Sequence, residues 1–595
     1  MNYNSRNEVP EKYKWDLNKW FKSDEQWQNE YEEVKKHTED LNKYKGKIFE
    51  NDNLYNLLEQ YYNYNNRIQK LYVYAMLKQC EDLSINKYDK MYQQVVELDS
   101  KFMENTAFIM PEILHNDEFG VNSLIEKCPK LERYKHILEE FKLDKEYIKS
   151  EEIEKIITMM TKDMSYYDNI ASNLLNSEIN YGKITDETGK AVELNTGNIG
   201  HYLSVENRDI RKEVYNKYNS NKIQFANTLG KNLIAFMNRQ STIARIRGYN
   251  NTKEMYFKSD YIPIEIHDSL LKNINRGLEL FQKFQNILCN ILKLEKLEPY
   301  DLYAPIIKNE KKYTVEEAEN YIYNATSILG DEYSKIIRKG FSEHWIDYMP
   351  YKGKQSGGFC CHIYGTTPNI LMSFNGDYID VSTIAHEMGH AVHDYFVSKN
   401  NNIEYSEHTY YTVEIPSLLN EILLTHYIIE SDFSKEEKIS VIVDMLRTIN
   451  ANFFTAVMEN ELEEICYKKI DNGESLDTDF LNDTMTNLVS KYYGDTLNQG
   501  EYKKYMWTSR SHYFTPWYLY KYSTCLCGAV HFATKILSGD KDMLNLYKKY
   551  LENGSDIFPN ELLLKYGIDL TNQEIYDELF DYYNSLLNKL EELLK

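Results

Sequence analysis

The most constraining feature of the sequence is the pentapeptide HEMGH at residues 386–390, which lies in an apolar segment. His386 and His390 are four residues apart, so in a helix their side chains lie on one face, one turn apart. Two imidazoles at this spacing can bind a single Zn²⁺, and Glu387 beside them can take a proton from a metal-bound water. The sequence therefore predicts a zinc site on a helix over residues 380–396.

The residues around the pentapeptide indicate that this helix is buried. At about 100° per residue, the histidines and carboxylates fall on one side, and the rest of the helix surface is apolar. A helix that is apolar except for one polar stripe is typically buried, with that stripe facing a polar cavity. His393 also lies on the metal side. A fourth protein ligand would close the open coordination position, so we interpret His393 as a supporting residue.

Composition limits the class of protein. The 595 residues carry a formal net charge of −23 that is spread along the chain, which argues against nucleic-acid binding. No apolar run approaches the roughly 20 residues that span a bilayer, and the first residues lack the apolar stretch of a secretory signal. We therefore expect a cytoplasmic protein with no nucleic-acid or membrane partner. The eight cysteines are expected to be reduced thiols, and the oligomeric state stays open.

Helical periodicity dominates the chain. Proline (11) and glycine (24) are infrequent, and amphipathic patterns recur, as in Ser23–Tyr44, where Ser23 and Gln26 form a capping box. Residues 182–194 predict a small β-hairpin. The predicted organisation is an N-terminal helical lobe, its continuation ending in the hairpin, and a catalytic domain, over residues 1–110, 111–195 and 196–595.

A second β-prone region, residues 357–376, leads directly into the zinc helix. Its strand signals are Cys361–Tyr364 and Ile370–Phe374. In zinc peptidases a strand at this place often pairs with an extended substrate by strand addition, so we predict an edge strand near Ile370–Phe374; a structural hairpin is the alternative. The candidate substrate contacts are Gly358, His362 and Phe374.

The third metal ligand is sought downstream, because a catalytic zinc takes three protein ligands and keeps one position open. Tyr411–Glu430 predicts a helix that begins near Glu414, with Glu421 close to the same face. A lone carboxylate on an apolar helix is costly, which favours these two residues. The residue pattern alone does not exclude the other candidates, which are Glu404, Glu407, His408 and His426.

Two motifs together resemble a known family. HEMGHAVH, followed 24 residues later by the Glu of VEIPSLLNE, is similar to the thimet oligopeptidase/oligoendopeptidase F family of zinc metallopeptidases. The second motif distinguishes this family from other zinc enzymes, because many of them share H-E-x-x-H alone. VPEKYKWDL near the start and YLENGSDIFPNELLLKYGIDL near the end also resemble this family, so the similarity extends over most of the chain.

The resemblance implies a set of site residues. It implies that His386, His390 and Glu414 bind one Zn²⁺ per chain and that Glu387 is the general base. It further implies that Glu421 is a carboxylate behind the ligands, which holds a ligand imidazole in its metal-binding tautomer.

The resemblance also implies a fold and an activity. The expected fold is a mostly α, two-lobed zinc metallopeptidase with a small β-sheet next to the active-site helix and a deep substrate channel. The expected activity is hydrolysis of internal bonds in short unstructured peptides, with folded proteins excluded.

A third stretch, Ser511–Ser523, supplies candidates for stabilising the oxyanion that forms during hydrolysis. The family carries a His and Tyr cluster here. Aligning the Tyr-rich end implies that Tyr520 is the oxyanion donor, that Tyr518 is its neighbour, and that His512 contacts the substrate backbone. The alternative is a buried aromatic helix without a catalytic role.

Three other functions remain open from the sequence. An aminopeptidase usually has an acidic anchor in a G-x-M-E-N type strand, and SFNGDY stands there instead. A carboxypeptidase needs a cation for the terminal carboxylate, which Arg510 could supply. An inactive helical binding protein with a relic zinc site is the third possibility, although the intact Glu387 argues against it.

Overall fold

The protein is mainly helical. The structure, a computed structural model, describes residues 3–114, 116, 120–161, 164–307, 311–409 and 411–595. Within this part of the chain, long helices alternate with short turns, and five short strands form two small sheets. The prediction of a mostly α fold with a small β-sheet is confirmed.

The described residues contain 24 α-helices and five β-strands, numbered here in chain order. The helices are α1 (Asp24–His37), α2 (Asn53–Glu81), α3 (Asn86–Thr106), α4 (Ile109–Leu114), α5 (Val121–Lys127), α6 (Lys135–Asp144), α7 (Glu151–Thr161), α8 (Ser165–Asn173), α9 (Thr196–Leu203), α10 (Arg208–Lys222), α11 (Ala226–Arg247), α12 (Thr252–Ser259), α13 (Ile264–Leu292), α14 (Val315–Thr326), α15 (Asp331–Ser342), α16 (Tyr378–Asn400), α17 (Glu414–Glu430), α18 (Lys435–Ile449), α19 (Ala456–Asp471), α20 (Thr478–Tyr493), α21 (Leu519–Leu537), α22 (Lys541–Tyr550), α23 (Pro559–Lys565) and α24 (Gln573–Leu594). The strands are β1 (Lys183–Thr185), β2 (Ala191–Glu193), β3 (Ile346–Asp347), β4 (Phe359–Cys361) and β5 (Asn369–Leu371).

The chain divides into two compact units, each assembled from three separate segments. The first unit comprises Met1–Met159, Lys311–Tyr427 and Lys535–Tyr566, and the second comprises Met160–Glu310, Ile428–Thr534 and Gly567–Lys595. These units differ from the predicted linear division into 1–110, 111–195 and 196–595. The HEMGH helix shares a unit with the N-terminal helices, because segments distant in sequence pack together, which a survey along the chain does not detect.

In the first unit, the N-terminal helices surround an apolar core that reaches the sheet. Half of the predicted capping box of α1 is present: Gln26 N donates to Ser23 Oγ at 3.2 Å, whereas the Gln26 side chain accepts from Lys22 N at 2.7 Å. The helix α1 ends at His37, and Tyr44 lies in a later 3₁₀ turn. Leu371 of β5 belongs to the same buried cluster as the side chains of α1–α3. The core therefore joins the N-terminal helices to the strands that precede α16.

The sheet beside α16 has three strands in the order β3-β5-β4. β5 pairs in parallel with β3 and antiparallel with β4, and α16 packs against both β4 and β5. The prediction of a small sheet leading into the HEMGH helix, α16, is confirmed. The prediction that Ile370–Phe374 supplies the edge strand is wrong, because β5 is paired on both sides and β4 lies at the edge.

In the second unit, α11, α19 and α20 pack together, and α24 packs along α13 and α18. The predicted hairpin is confirmed: β1 and β2 pair antiparallel, with Ile184 opposite Val192. Asp301 is fully buried and binds Arg208 at 2.8 Å and Arg211 at 3.0 Å. This shared carboxylate fixes the start of α10 to the segment that follows α13.

One helical stretch of the described residues, Lys435–Asp471, is long and apolar enough to cross a bilayer by length and composition, with a mean hydropathy of 1.2. It comprises α18, a π-helical turn and α19. Of its most apolar window, 67% is buried inside the protein. Buried core helices can have the same length and apolar composition, and the packing of α18 and α19 within the second unit accounts for the apolar character of this stretch.

Candidate metal centre

The two histidines of the pentapeptide are positioned by α16. The helix begins at a capping box formed by Asp377 and Asp380, in which Asp377 N donates to Asp380 Oδ2 at 3.1 Å. The rings of His386 and His390 lie one turn apart, with centroids 4.9 Å from each other and planes at 78°. The predicted helix over residues 380–396 is thus contained in α16.

Glu414 reaches both histidines from the first turn of α17. Its Oε2 atom lies 3.3 Å from His386 Nε2 and 3.3 Å from His390 Nε2. Ser417 Oγ donates to the same Oε2 at 3.0 Å, and it also contacts the Glu414 carbonyl at 2.9 Å. The serine therefore fixes the carboxylate in a position between the two imidazoles.

Glu421 lies two turns further along α17 and contacts the opposite nitrogen of one imidazole. Its Oε1 is 2.7 Å from His386 Nδ1, and Ser382 Oγ donates to its Oε2 at 3.2 Å. A carboxylate at Nδ1 favours the tautomer whose proton is on that nitrogen. The Nε2 atom of His386 is then left with a lone pair directed towards Glu414.

Close packing of α16 and α17 makes these contacts possible. A Cβ atom at Gly389 would lie 2.5 Å from Pro416 O and 2.6 Å from Ser417 Cα, so only glycine fits at this crossing. Asn420 Nδ2 donates to Ala385 O at 3.0 Å, and Tyr333 OH donates to Asn420 Oδ1 at 2.7 Å. These buried hydrogen bonds fix the register between the two helices.

The chemistry of the converging side chains fits a divalent cation. One ligand atom from each of His386, His390 and Glu414 lies within 4.8 Å of the others. Two imidazoles and one carboxylate form the ligand set of many catalytic zinc sites. None of the four other candidates for the third ligand belongs to this group in the described residues; Glu404 instead binds Arg133, and His408 stacks on His393.

The electrostatics of the site also favour a cation. Burial alone would raise the pKa of Glu414, but its contacts with His386 and His390 outweigh burial and hold that pKa well below its usual range. Burial alone would lower the pKa of His386, but Glu414 and Glu421 raise it well above the usual value. Burial raises the pKa of Glu387, which is 7% exposed, and the two histidines oppose this shift. Three carboxylates around two imidazoles leave an excess of negative charge that a divalent cation would neutralise.

His393 lies outside the converging ligands. It is buried, and its ring stacks on His408, with centroids 4.5 Å apart, and on Tyr550, with centroids 5.7 Å apart. Burial lowers its pKa well below the usual value, so the imidazole is neutral. This aromatic stack agrees with the interpretation of His393 as a supporting residue.

The predicted substrate contacts occupy three different environments near β4 and β5. Gly358 is exposed directly before β4, and a Cβ there would lie 3.0 Å from Thr383 Cγ2 of α16. His362 is half-buried directly after β4, whereas Phe374 is 5% exposed and packs in the core. Gly358 and His362 therefore flank an edge strand, and the burial of Phe374 argues against its predicted contact with a substrate.

The adjacent cysteines Cys360 and Cys361 have the environment of unreactive thiols. All eight cysteines are free, and Cys360 Sγ lies 3.7 Å from Asp394 Oδ2. Burial raises the pKa of Cys360 and of Cys361 well above the usual value, and the Asp394 carboxylate adds to this shift. A protonated thiol is a poor nucleophile, so the arrangement favours a packing role.

The tyrosines of the third stretch, at the start of α21 in the second unit, separate into two environments. Tyr518 and Tyr522 are one turn apart and half-buried, and His512 Nε2 lies 3.1 Å from Tyr522 OH. The rings of Tyr518 and Tyr522 are 5.3 Å apart. Burial, together with Arg510, lowers the pKa of His512 to about 4, so this imidazole is neutral at neutral pH. His512, Tyr518 and Tyr522 are called the His-Tyr cluster below.

Tyr520 points away from the His-Tyr cluster. Its side chain is 0% exposed, stacks on Phe257 at 5.1 Å and contacts the edge of His267 at 5.5 Å. A hydroxyl in this core does not reach a substrate, which argues against Tyr520 as the oxyanion donor. Tyr522 was missed in the sequence, although its i,i+4 spacing from Tyr518 was a signal that could have identified it.

Comparison with known proteins agrees with this geometry. Residues 201–582, more than half of the chain, match the family model described as Peptidase family M3, and residues 112–181 match the model described as Oligopeptidase F. The chain is 30% identical to the Oligoendopeptidase F homolog of Borreliella burgdorferi, with 99% of this chain and 100% of the relative covered. It is 29% identical to Oligopeptidase PepF of Bacillus subtilis, with 99% and 88% covered.

A solved structure shares the fold. The crystal structure of oligoendopeptidase-F from Enterococcus faecium superposes with a TM-score of 0.77 at 25% sequence identity. The match covers 96% of this chain and 99% of that chain. The similarity therefore extends over both compact units.

Substitution of Gly389 by alanine tests whether the helix crossing positions the candidate metal ligands. The added Cβ would collide with the backbone of α17, so Glu414 should move away from the histidines. We expect metal affinity to fall by at least about tenfold and stability to fall by about 1–3 kcal/mol. Metal analysis after dialysis and thermal unfolding measure the two effects.

Gly200 provides the matched control. It lies within α9, and a Cβ there would meet nothing within 4 Å. Gly200→Ala should leave metal binding unchanged and stabilise the protein by about 0.5–1 kcal/mol, because alanine loses less backbone entropy in a helix. If Gly389→Ala behaves like Gly200→Ala, the close crossing does not control the site.

Proposed function

Because the chain belongs to peptidase family M3, we propose that this metalloendopeptidase uses one Zn²⁺ to hydrolyse internal bonds of short, unstructured peptides. The family membership confirms the resemblance noted in the sequence. The observation that carries the proposal is the convergence of ligand atoms from His386, His390 and Glu414 within 4.8 Å. The cytoplasmic location stays a prediction that cell fractionation can test.

In this proposal the protein provides a preorganised ligand set and the metal provides the Lewis acidity. When bound, Zn²⁺ polarises the scissile carbonyl and favours deprotonation of the attacking water. His386 and His390 offer their Nε2 atoms, and Glu414 offers Oε2, which is held by Ser417. Glu421 stabilises the proton on His386 Nδ1, so that imidazole binds a cation as a neutral ligand.

Glu387 is proposed as the group that moves the proton. It follows His386 directly on α16 and is buried beside the candidate ligands. Its carboxylate takes a proton from the attacking water and later passes it to the leaving amine. The raised pKa of Glu387 brings its basicity closer to that of a group that both accepts and donates near neutral pH.

β4 is proposed to bind the backbone of the peptide. It is the edge strand of the sheet against α16, so its outer backbone groups can form a ladder with an extended chain. Gly358 before β4 presents no side chain to such a peptide, and His362 follows the strand. Backbone pairing favours broad sequence preference, and it requires an extended segment, which a folded protein presents only after unfolding at a cost of several kcal/mol.

The His-Tyr cluster is proposed to stabilise the oxyanion, with Tyr522 in place of Tyr520 as the donor. Tyr522 lies on the half-buried face of α21, and the neutral His512 within hydrogen-bond distance can orient its hydroxyl. A phenol held in this way can strengthen its hydrogen bond as negative charge develops on the carbonyl oxygen.

A carboxypeptidase-type reaction finds less support in the chain. Arg510, the candidate anchor for a terminal carboxylate, is engaged by Glu459, with contacts of 2.6 Å and 3.0 Å to its two carboxylate oxygens. To bind the terminal carboxylate of a substrate, Arg510 would have to give up its buried partner Glu459. It would therefore bind the substrate weakly.

A doubly blocked peptide tests the function. An N-acetylated, C-amidated peptide of about ten residues offers only internal bonds, so an endopeptidase cuts it and an exopeptidase or binding protein does not. We expect cleavage that is abolished by a strong chelator and restored by added Zn²⁺. Mass spectrometry of the products gives the cut site. Cleavage that continues unchanged in chelator, or products released only from unblocked ends, would contradict the proposal.

Replacement of Glu387 by glutamine tests the proton transfer. The amide keeps the size of the side chain but cannot accept the proton, so turnover should fall by about 10²–10⁴ while zinc stays bound. Steady-state kinetics and metal analysis on the same sample measure both quantities. Glu430→Gln, at the exposed end of α17, is the control and should behave as wild type. Near-normal turnover in the zinc-loaded Glu387→Gln variant would remove Glu387 from the mechanism.

Paired tyrosine variants test the oxyanion donor. Tyr522→Phe should lower kcat by about 10²–10³ with little change in KM, since the hydrogen bond strengthens in the transition state. Tyr520→Phe alters a ring that is 0% exposed and should leave kcat nearly unchanged. Kinetics of both variants on one peptide decide the assignment. A larger kcat effect in Tyr520→Phe would instead support Tyr520 as the oxyanion donor, as the family resemblance implies.

A further inference from the structure

A charged cavity lies in the second unit. None of its lining residues takes part directly in the proposed steps of hydrolysis. Its volume is about 200 Å³, and it is lined by the end of α10 and by a turn that contains Lys503, Ser509 and Arg510. Tyr215 and Tyr218 of α10, together with Tyr502, provide aromatic walls. This polar and aromatic lining differs from an apolar packing defect, which would lack charged groups.

Lys222 is a buried cation in this cavity. It is 3% exposed, and its Nζ donates to Ser509 Oγ at 2.6 Å and lies 4.7 Å from the centre of the Tyr218 ring. Within the described part of the chain, no carboxylate oxygen lies within 4.0 Å of Lys222 Nζ. A buried ammonium with only a hydroxyl and an aromatic ring is poorly compensated.

Lys503 adds a second cation to the same cavity. Its Nζ has Met506 Sδ as a hydrogen-bond partner at 3.7 Å and lies 5.2 Å from the centre of the Tyr493 ring. A thioether is a weak acceptor, and the described residues again supply no carboxylate within 4.0 Å. The two lysines repel each other, and their charges are not balanced by a direct ion pair.

The remaining charges do not neutralise the lysines. Glu459 is 1% exposed, and both of its carboxylate oxygens are engaged by Arg510. This pair is internally balanced, so the cavity keeps the charge of its two lysines. Burial lowers the pKa of Lys222 to about 7, with Lys503 adding to the shift, and burial lowers that of Lys503 to about 8, with Glu459 opposing it. The lysines therefore remain partly protonated near neutral pH, at an electrostatic cost.

We propose that this cavity is a binding site for a small oxyanion, a phosphate or carboxylate group, held between Lys222 and Lys503. The anion would neutralise two poorly compensated cations, which is the condition under which a buried charge becomes favourable. Ser509 and Tyr218, whose hydroxyl oxygens lie 3.2 Å apart, offer further hydrogen bonds. The tyrosine side chains that line the cavity suit a small organic molecule that carries the anionic group. The proposal does not rest on the proposed peptide hydrolysis.

Binding of defined anions to the full-length, metal-loaded protein tests the proposal. Isothermal titration calorimetry with inorganic phosphate and with succinate distinguishes the phosphate source from the carboxylate source, and sodium chloride at equal ionic strength is the reference. We expect saturable binding of at least one oxyanion at about one site per chain, and a rise in melting temperature that chloride does not reproduce. Absence of both effects for phosphate and for succinate would overturn the proposal.

Lysine variants locate the binding. Lys222→Met keeps an unbranched side chain without the charge and should weaken oxyanion binding by at least about tenfold, because a buried charged contact is lost. Without ligand, Lys222→Met should be at least as stable as wild type, since a poorly compensated cation is removed. Lys503→Gln, at a half-buried position, should also weaken binding and provides the test if Lys222→Met fails to fold.

Lys504 provides the matched control. It neighbours Lys503 in sequence, does not line the cavity, and lies over the Tyr505 ring at 5.1 Å. Lys504→Gln should bind the oxyanion as wild type does. If Lys503→Gln and Lys504→Gln bind equally well, the anion is held elsewhere by general surface charge and the assignment of the cavity is wrong.

Discussion

The candidate metal centre depends on one backbone contact, the crossing of α16 and α17 at Gly389. Because a Cβ at Gly389 would lie 2.5 Å from Pro416 O, the two helices approach as closely as their backbones permit. That approach places Glu414 between two imidazoles and Glu421 behind one of them. The glycine within the pentapeptide is therefore as specific a requirement as its histidines, since ligands on separate helices converge only if the helices touch.

Features that depend on local spacing could be predicted from the sequence. The i,i+4 histidines, the helix start at Glu414 and the hairpin at residues 182–194 follow from periodicities of a few residues, and each occurs in the structure. Local geometry is fixed by covalent constraints and nearest neighbours, so the sequence nearby contains the required information. The choice of Glu414 over four other ligand candidates needed the family resemblance, because it depends on how two helices cross.

Features that depend on pairing between distant segments could not be predicted in this way. β5 is central because β3, more than twenty residues earlier in the chain, pairs with its free side. Each compact unit is built from three segments that are not contiguous in sequence, so no single boundary along the chain describes the two units. Tyr520 and Tyr522 illustrate the sensitivity of such assignments: two residues correspond to about 200° on a helix, which separates a core ring from a half-buried one. A shift of two positions in the alignment would therefore change the inferred role.

The metal centre and the lysine cavity obey the same electrostatic rule with opposite signs. In the first unit, carboxylates outnumber the cations that the protein supplies around His386 and His390, and in the described part of the second unit Lys222 and Lys503 have no carboxylate within 4.0 Å. Asp301 shows the balanced case, since this buried carboxylate is bound by both Arg208 and Arg211. Since an unmatched buried charge costs free energy in the folded protein, its retention is most simply explained by a ligand of opposite charge. The sign of the imbalance then specifies the ligand: a divalent cation at the crossing of α16 and α17, and an oxyanion at the end of α10.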